Sequence, residues 1–580
     1  MTTLQSGHSS AKEPNISESE KAQNGAWDLS TRMAGDLGSQ ESGESEGSHQ
    51  PKSNFHKWIA LTALAGMWSN AQAPLYLYAG APVYVYGELG GTEYWVWYIT
   101  GNLLATAAIS PFVGALSDLM GRRWVAIVGH LIIILGQVIC GTAQNMPMFI
   151  AGMSLTGIGS GINELTCLAG TAELVPISRR GYYVAGIVLT ILPFLPSVMF
   201  AQLIAYHSTW RYIAVVTAGW TFLGLIVTVF GYFPPPRACA KSWKERMDLL
   251  KRTDFLGGFL SIVGLAGFEA GLHAGGYQYP WRSAQTLVPL ILGVVAISLF
   301  VMWEGWGAKY PMVPRNMSKA PRTLWLTMVI TFVSGANFFS VLLVWPPEAY
   351  NVYGHEPVGV GVRGMPFAFG VYAGCVVSLV LLSFFKGHIK SLIFGASAFM
   401  TVGCGCLSLA RVDNINLVYL ILFIAGLGVG GITIPVSTVA SIICTGDVIA
   451  TVTALTISIR IVGGAVGYAV YFNVWLNKLI PELGKLIAPA CAGLGITNRA
   501  EIGEIIHLTS VSLIKEIKQL PGVTDEKWVV IVAAGQQAFA NAYPWAYYCS
   551  VAFGMVSVIA SLFLEDISPW MDDTIVAKML

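Results

Sequence analysis

The chain has 580 residues, of which 54% are hydrophobic and 11% are charged, and its mean hydropathy is +0.61. A soluble domain carries about 25% charged residues, so this composition excludes a water-soluble globular protein of such a length. The formal net charge of +1 gives no overall attraction to nucleic acid. The nine cysteines are scattered and form no disulfide framework. Because so few of its residues are charged, the chain is predicted to lie in lipid.

Residues 1–54 differ in composition from everything that follows. They are rich in Ser, Gly, Glu, Lys and Gln and contain few large apolar side chains. Such a segment cannot bury enough apolar surface to offset its chain entropy, so we expect a disordered cytoplasmic tail. No apolar core follows Met1, which predicts that the first spanning helix directs membrane insertion.

Apolar runs of about 18 to 25 residues follow the tail, and each is long enough for a membrane-spanning helix. The sequence predicts about fourteen spans, near 58–80, 94–116, 124–143, 147–169, 181–204, 212–233, 255–274, 284–304, 322–345, 363–385, 390–410, 416–439, 447–472 and 544–564. Lys and Arg concentrate in alternate loops, which predicts that both termini lie on the cytoplasmic side.

These elements divide the chain into domains. We expect an N-terminal six-helix bundle at 55–236, a loop and two linker helices at 237–321, and a C-terminal six-helix bundle at 322–580. The last bundle contains a long outer loop at 473–543. Helical periodicity around Glu501–Ile517 predicts that this loop forms an outer subdomain or lid.

A faint internal repeat supports two bundles. The fourth span contains Gly157–Gly161, and the twelfth contains a similar Gly-x-Gly-x-Gly pattern at Gly426–Gly430, 269 residues later. The same offset places Asp118 opposite the basic loop Lys386–Lys390, which has lost the acid and the arginines. Two six-helix bundles with two extra helices between them explain both the offset and the number of spans. The alternative is that small residues recur in any packed membrane helix.

The loop between the second and third spans reads Gly114-Ala-Leu-Ser-Asp118-Leu-Met-Gly121-Arg122-Arg123. Gly114 and Gly121 permit a tight turn and a close approach of the backbone. Asp118 can pair with Arg122 or Arg123, or lie near a helix N-terminus. A short charged loop held between spanning helices can act as a latch, and a positive-inside topology signal is the alternative interpretation.

This loop resembles the one between the second and third helices of major facilitator superfamily transporters. The resemblance extends to the fourteen-segment drug:proton antiporter branch and, within it, to the fungal trichothecene efflux pump family. Further similar stretches are Ala172–Pro176, Arg180–Tyr182, Trp210–Tyr212 and Asp254–Gly257. The resemblance covers roughly residues 55 to 570. It implies an all-α membrane protein with the major facilitator fold.

The resemblance also implies a function, namely proton-coupled export of a small organic compound such as a fungal secondary metabolite or toxin. It implies that Asp118, Arg122 and Arg123 latch an inner gate, with Glu173 and Arg180 paired at the same face. Pro193 in the fifth span matches the proline of a Gly-Pro motif in antiporters of this superfamily, although Leu192 replaces the glycine. Met153 stands where many such antiporters carry an arginine in the fourth helix.

Glu164 follows the glycines of the fourth span and is the candidate for proton coupling. A charged group near the bilayer centre costs about 2.5–3.5 kcal/mol on insertion scales, so it normally faces a cavity or a partner. Arg460 in the thirteenth span can hold an anionic group or neutralise a buried acid, and snorkelling is the alternative. Tyr76 and Phe194 can line a cavity for a flat or polycyclic solute, or belong to an interfacial aromatic belt.

Glu269 and His273 lie four residues apart in the seventh span and share a helix face. A proton relay is one open interpretation, and an outer-end cap or a helix-packing pair is the other. The cap or packing pair is favoured, because the two extra helices are peripheral if the chain consists of two six-helix bundles.

The chain contains no phosphate-binding glycine loop followed by Lys and Ser or Thr, and no metal-ligand or nucleophile–base constellation. We therefore expect no enzyme, no cofactor, no metal site and no ATP. The expected partners are a small-molecule substrate, protons and the lipid bilayer, in the plasma membrane or, alternatively, the vacuolar membrane. Uptake of a ferric siderophore, which needs polar ligands, and a transporter-like receptor or scaffold are the rival functions.

Overall fold

The structure is a computed structural model that describes residues 52–234, 254–276, 278–313, 317–385 and 388–571. The side chains of residues 52–56, Asp118 and Asp447 are outside this description. The predicted tail, apart from its last three residues, and most of the predicted loop after residue 236 also lie outside the described residues.

The described residues are almost entirely helical. Their α-helices are α1 (Lys52–Ala79), α2 (Pro82–Leu89), α3 (Val96–Met120), α4 (Arg122–Gly141), α5 (Met146–Leu174), α6 (Arg180–Val188), α7 (Ser197–His207), α8 (Tyr212–Gly231), α9 (Phe255–Ala274), α10 (Ala284–Met302), α11 (Pro321–Tyr353), α12 (Pro357–Phe384), α13 (Ile389–Cys406), α14 (Ile415–Thr433), α15 (Pro435–Ile443), α16 (Ile449–Gly493), α17 (Arg499–Ser510), α18 (Ile514–Ile517) and α19 (Asp525–Leu562).

Each predicted membrane span coincides with helical structure. Within the described ranges, twelve helical segments are long and apolar enough to cross a membrane. The two remaining predicted spans are α1 and α5, which are 28 and 29 residues long but too polar to be among the twelve. Every residue of 159–174 in α5 is buried, so this helix needs no continuous apolar surface toward lipid.

The two glycine patterns make equivalent contacts in the two halves of the chain. Gly157 and Gly161 of α5 pack against the backbone of α3, and Gly159 packs against α4. Gly426 and Gly430 of α14 pack in the same way against α12, and Gly428 packs against α13. A side chain at any of these positions would overlap the neighbouring helix. The structure therefore confirms the internal repeat, because the same glycines bring equivalent helices together.

Among the described residues, two contact zones between the halves are the most extensive. In the first zone α3 packs against α16, and Ser458 Oγ donates to the carbonyl oxygen of Ala107 at 3.1 Å. In the second zone α6 and α7 pack against α12, where Gly181 approaches the backbone of Leu379 and Met199 approaches Gly361.

The linker helices α9 and α10 pack against each other beside the first contact zone. Gly258 of α9 lies against the ring of Phe112 in α3, and Asn473 of α16 donates to the carbonyl oxygen of Leu272 at 2.9 Å. Helix α9 thus touches both halves. Helix α10 lies outside it and exposes apolar side chains such as Leu292.

The fifth span changes helical geometry at its prolines. The α-helix gives way to a 3-10 segment at Leu189–Phe194, which contains Pro193, and α7 begins directly after Pro196. Proline removes the backbone donor that a regular α-helix needs, so the helix changes geometry at these positions.

The segment 473–543 contains more regular structure than a loop. Helix α16 continues to Gly493, and α19 begins at Asp525, so both spans extend well beyond the predicted ones. The short helices α17 and α18 lie between them, in the region of the predicted periodicity. The resulting outer subdomain is a direct continuation of two spanning helices.

Candidate transport site

A cavity lies between the two halves and is lined mainly by apolar and aromatic side chains. Its lining residues include Trp68, Tyr76, Phe194, Phe338, Phe367 and Arg460. They come from helices of both halves, and Arg460 is the only charged side chain in the described lining. Tyr76 and Phe194, both predicted from the sequence, therefore face the cavity. The wall suits an apolar solute that has few polar groups.

Aromatic rings in the cavity wall meet edge to face. Tyr76 of the first half meets Phe338 of the second half with ring centroids 6.3 Å apart and a T-shaped arrangement. Phe194 makes a similar contact with Trp220 at 5.2 Å. Edge-to-face pairs are a favourable aromatic geometry, and they leave ring faces available to neighbouring groups. The contact between Tyr76 and Phe338 also joins the two halves across the cavity.

Arg460 and Glu164 form a buried ion pair beside this cavity. Arg460 Nη2 donates to Glu164 Oε1, and the side chains are 4% and 3% exposed. The two residues are 296 positions apart in the chain and belong to different halves. The sequence treated each as a separate candidate, and the structure brings them together. A buried charge needs such a partner, because an unpaired charge in this environment is costly.

Small residues place Arg460 at the cavity wall. Gly335 of α11 contacts the backbone of Arg460, and Gly463 of α16 contacts the backbone of Phe332, so these helices lie very close together. The guanidinium is thereby held next to the aromatic wall. Its Nη1 has no hydrogen-bond partner among the described residues. A polar acceptor on a solute can satisfy this donor.

We use the term inner end for the side of the helices that carries Arg122 and Arg180, following the predicted orientation. Gly121, with φ = 84°, links α3 to α4 in a conformation that favours glycine. The turn places Arg122 beside Glu173 of α5, where Nη2 donates to Oε1 at 2.5 Å. Arg123 Nη2 donates to the carbonyl oxygen of Val229 at 2.7 Å, and its guanidinium lies over the ring of Phe233.

The predicted latch residues thus make different kinds of contact. Arg180 Nη1 donates to the carbonyl oxygen of Ser441 at 2.6 Å, which is a bond from the first half to the second. Gly114 has open space around the position of a Cβ atom, so packing does not require a glycine there. The side chain of Asp118 lies outside the described residues, and its role in a latch stays a prediction.

The outer end, on the opposite side, is closed by aromatic groups and the outer subdomain. Tyr86 in α2 donates to the carbonyl oxygen of Val511 at 2.7 Å, across 425 positions of the chain. Next to this bond, Trp475 stacks on Tyr543 with ring centroids 5.1 Å apart. Cross-half contacts therefore lie at both ends of the central cavity, whose volume is about 100 Å³. Drug-sized ligand sites span about 300–1,000 Å³, so the cavity in this conformation is smaller than such a site.

Sequence reasoning missed Glu348 and its partner Tyr547. The carboxylate of Glu348 is buried and accepts a hydrogen bond from the Tyr547 hydroxyl, and both residues belong to the second half. The available signal was an acid directly after the apolar run 322–345. It also missed the contact between Tyr86 and Val511. Nothing in the sequence distinguishes Tyr86 from other aromatic residues in short connecting segments.

Comparison with known proteins decides the family. Residues 63–580 match the family described as the fungal trichothecene efflux pump. The chain belongs to the fungal trichothecene efflux pump family. Membership in this family of membrane transporters, together with the apolar helices, makes it a multi-pass integral membrane protein.

Individual relatives are consistent with this family. The chain is 24% identical over 471 residues to the trichothecene efflux pump TRI12 of Fusarium sporotrichioides, covering 80% of this chain and 78% of the pump. It is 29% identical over 364 residues to the MFS-type transporter gkaD of Penicillium citrinum, covering 62% of this chain and 61% of that transporter. The match therefore spans less than two thirds of the Penicillium protein.

Solved structures show the same fold for this family member. The proton:xylose symporter XylE, bound to 6-bromo-6-deoxy-D-glucose, aligns with a TM-score of 0.51 at 12% identity, covering 91% of this chain and 98% of XylE. The human organic anion transporter MFSD10 aligns with a TM-score of 0.50 at 12% identity, covering 87% of this chain and all of that one. The predicted major facilitator fold is confirmed.

Proposed function

We propose that this protein exports a small, largely apolar organic compound, such as a fungal secondary metabolite, in exchange for protons. The observation that carries the proposal is the buried pair of Glu164 and Arg460, which joins the two halves at the wall of an apolar cavity. Several relatives are efflux pumps, which supports the export direction. The plasma membrane is the membrane in which such export would clear the cell of its product.

The pair gives a simple coupling scheme. When Glu164 is ionised, it anchors the guanidinium of Arg460 through Nη2, while Nη1 is free to hold an oxygen acceptor of the solute. When Glu164 takes up a proton, the ion pair is lost, Arg460 is no longer held at the wall, and the solute site weakens. Proton and solute thus oppose each other's binding, which is the requirement for antiport. Moving one proton down 100 mV supplies about 2.3 kcal/mol.

The lining of the cavity disfavours the rival of siderophore uptake. A ferric siderophore is a large hydrophilic complex and needs many polar partners in its site. The described lining offers Arg460 as its one charged group and otherwise mostly rings and aliphatic side chains. A receptor or scaffold function gives no reason for a buried ion pair between the moving halves.

The test uses the purified full-length protein in lipid vesicles with an imposed pH gradient. The probes are a labelled trichothecene and a panel of other fungal metabolites. We expect Glu164→Gln to abolish gradient-driven transport, while exchange of labelled for unlabelled solute continues with a weaker apparent affinity for the solute. Glu348→Gln is the matched control, because it removes another buried acid that lies within one half, and it should retain gradient-driven transport.

Two results would contradict the proposal. If an uncoupler leaves the transport of every probe unchanged, proton coupling is excluded. Gradient-driven transport that survives in Glu164→Gln at the native rate would show that another group carries the proton.

A further inference from the structure

A second buried acid, Glu269, lies in the linker helix α9 and is not used by the coupling scheme. Its side chain is 0% exposed, and neither carboxylate oxygen has a hydrogen-bond partner among the described residues. His273, one helical turn later, is also buried, and its Nε2 lies 3.7 Å from Glu269 Oε2. A carboxylate that is buried without a donor is an exception among native proteins and needs an explanation.

The surroundings of the pair contain no other compensating charge in the described residues. From α3 it is faced by Thr100 and Trp97, and from α16 by the ring of Tyr468, whose centroid lies 5.9 Å from that of His273. From α10 the contacts near this level are apolar, with Leu290 against Gly271. The phenol of Tyr468 is thus the one titratable group that these three helices present to His273.

The hydrogen bonds define where a proton can reside. Thr100 Oγ1 lies 3.3 Å from the carbonyl oxygen of Val96 and 3.0 Å from His273 Nε2. When the hydroxyl donates to Val96, it accepts from His273 Nε2, which then carries a hydrogen. One further proton, held on Glu269 or on the imidazole, leaves the pair without net charge. Its loss would leave an uncompensated negative charge inside the protein, which is unfavourable.

The pair is close to the outer end. His273 is the last residue but one of α9. The turn that follows contacts the segment just before α3, where Gln278 donates to the carbonyl oxygen of Glu93 at 2.6 Å. The pair therefore lies nearer the outer end of α9 than its inner end. Because α3 and α16 belong to different halves and pack against each other here, the site is placed where movement of the halves would change it.

We propose that Glu269 and His273 form a second proton-binding site that is protonated from the outer solution. Its protonation state controls how α9 packs against α3 and α16. The site extends the proposed proton coupling but shares no residue with Glu164 and Arg460. A linker helix that touches both halves would then sense external acidity, instead of serving only as a spacer.

The direct test is infrared spectroscopy of the full chain in lipid vesicles while the pH is changed. A protonated carboxylic acid has its own carbonyl stretching band. We expect a band that titrates in the native protein and in Glu164→Gln but is lost in Glu269→Gln. Glu348→Gln is the control for a buried acid with a donor, and it should leave this band unchanged. His273→Gln should shift the midpoint of the band by about one pH unit or more, since it removes the adjacent charge partner.

The outcomes separate this site from the proposed function. A spectrum of Glu269→Gln identical to the native one at every pH would overturn the site. If Glu269→Gln does not fold, an unchanged midpoint in folded His273→Gln would also overturn it. A titrating Glu269 band together with transport that ignores the pH gradient would refute the proposed antiport while the proton site stands. Where export does occur, Glu269→Gln should alter its dependence on external pH.

Discussion

The two halves of this transporter are packed alike but charged differently. Gly157 and Gly161 in the first half have counterparts in Gly426 and Gly430, and each pair lets one helix approach the next at backbone distance. The inner end of the first half adds the pair of Arg122 and Glu173. In the corresponding basic loop of the second half, Lys390 is exposed, and residues 386–387 lie outside the described residues.

The comparison separates the packing of the two halves, which is shared, from their charges, which differ. Shared glycines build a shared scaffold, because close helix packing in lipid depends on small side chains. Charges that occur in only one half, or that join the halves as Glu164 and Arg460 do, make the two halves unequal. We therefore expect substitutions of the glycines to act similarly in both halves and substitutions of the charges to act differently.

The largest effect is expected where charges of the two halves meet. Arg460→Gln leaves Glu164 buried without its partner, and breaking a buried pair costs about 3–5 kcal/mol. The free energy of unfolding should fall by this amount in detergent. The double variant Glu164→Gln, Arg460→Gln should recover most of the loss, because no unpaired charge remains. Equal losses in the single and double variants would show that the pair is not coupled.

The next largest effect tests the similarity of the halves. Gly157→Ala and its counterpart Gly426→Ala each place a methyl group against a backbone carbonyl, of Asn102 and Phe367 respectively. Overpacking of this kind costs about 1–3 kcal/mol. We expect Tm and the yield of monodisperse protein to fall by similar amounts in both variants.

The matched controls for this prediction are Gly219→Ala and Gly395→Ala, one in each half, where a Cβ atom meets open space. Replacing glycine by alanine inside a helix is favourable by up to about 1 kcal/mol, so these variants should be neutral or more stable. Destabilisation in only one half would break the proposed equivalence of the two scaffolds.

A smaller effect tests the charge difference at the inner end. Arg122→Gln removes the bond to Glu173 and is expected to cost about 1.5 kcal/mol, or roughly tenfold in an opening equilibrium. The measurement is the rate at which a maleimide modifies Cys444, which is buried beside Ser441, in a chain whose other cysteines are serine. Lys390→Gln, from the second half's basic loop, should leave the rate unchanged. Equal acceleration by both variants would argue for a general charge effect.

The smallest effect concerns the outer end, where the subdomain of the second half bonds to the first. Tyr86→Phe removes the hydrogen bond to Val511, with an expected cost of about 1 kcal/mol, or roughly fivefold in local opening. Hydrogen exchange of the amides at 510–513 should accelerate by that factor. Tyr84→Phe, on the same short helix, is the control. Unchanged exchange in Tyr86→Phe would mean that the stacked rings alone keep this end closed.

Much of the fold and part of the site were predictable from the sequence. Apolar length predicted a helix at every span, and Gly121 with its arginines predicted a charged turn. The sequence named Glu164 and Arg460 as candidates but not as partners. It interpreted Glu269 as part of a packing pair, and only the packing around α9 shows that its oxygens lack donors. Within the outer loop 473–543 it predicted helical structure only around Glu501–Ile517, although two spanning helices also extend into this segment from its ends.

The sequence by itself determined which segments enter the membrane and which residues are small or charged, because hydrophobic length and local motifs act within a few helical turns. The tertiary structure decided which of these residues meet. The contacts of Glu164 with Arg460 and of Tyr86 with Val511 join positions hundreds of residues apart. Such contacts depend on the rotation and depth of each helix, which are set by packing against its neighbours.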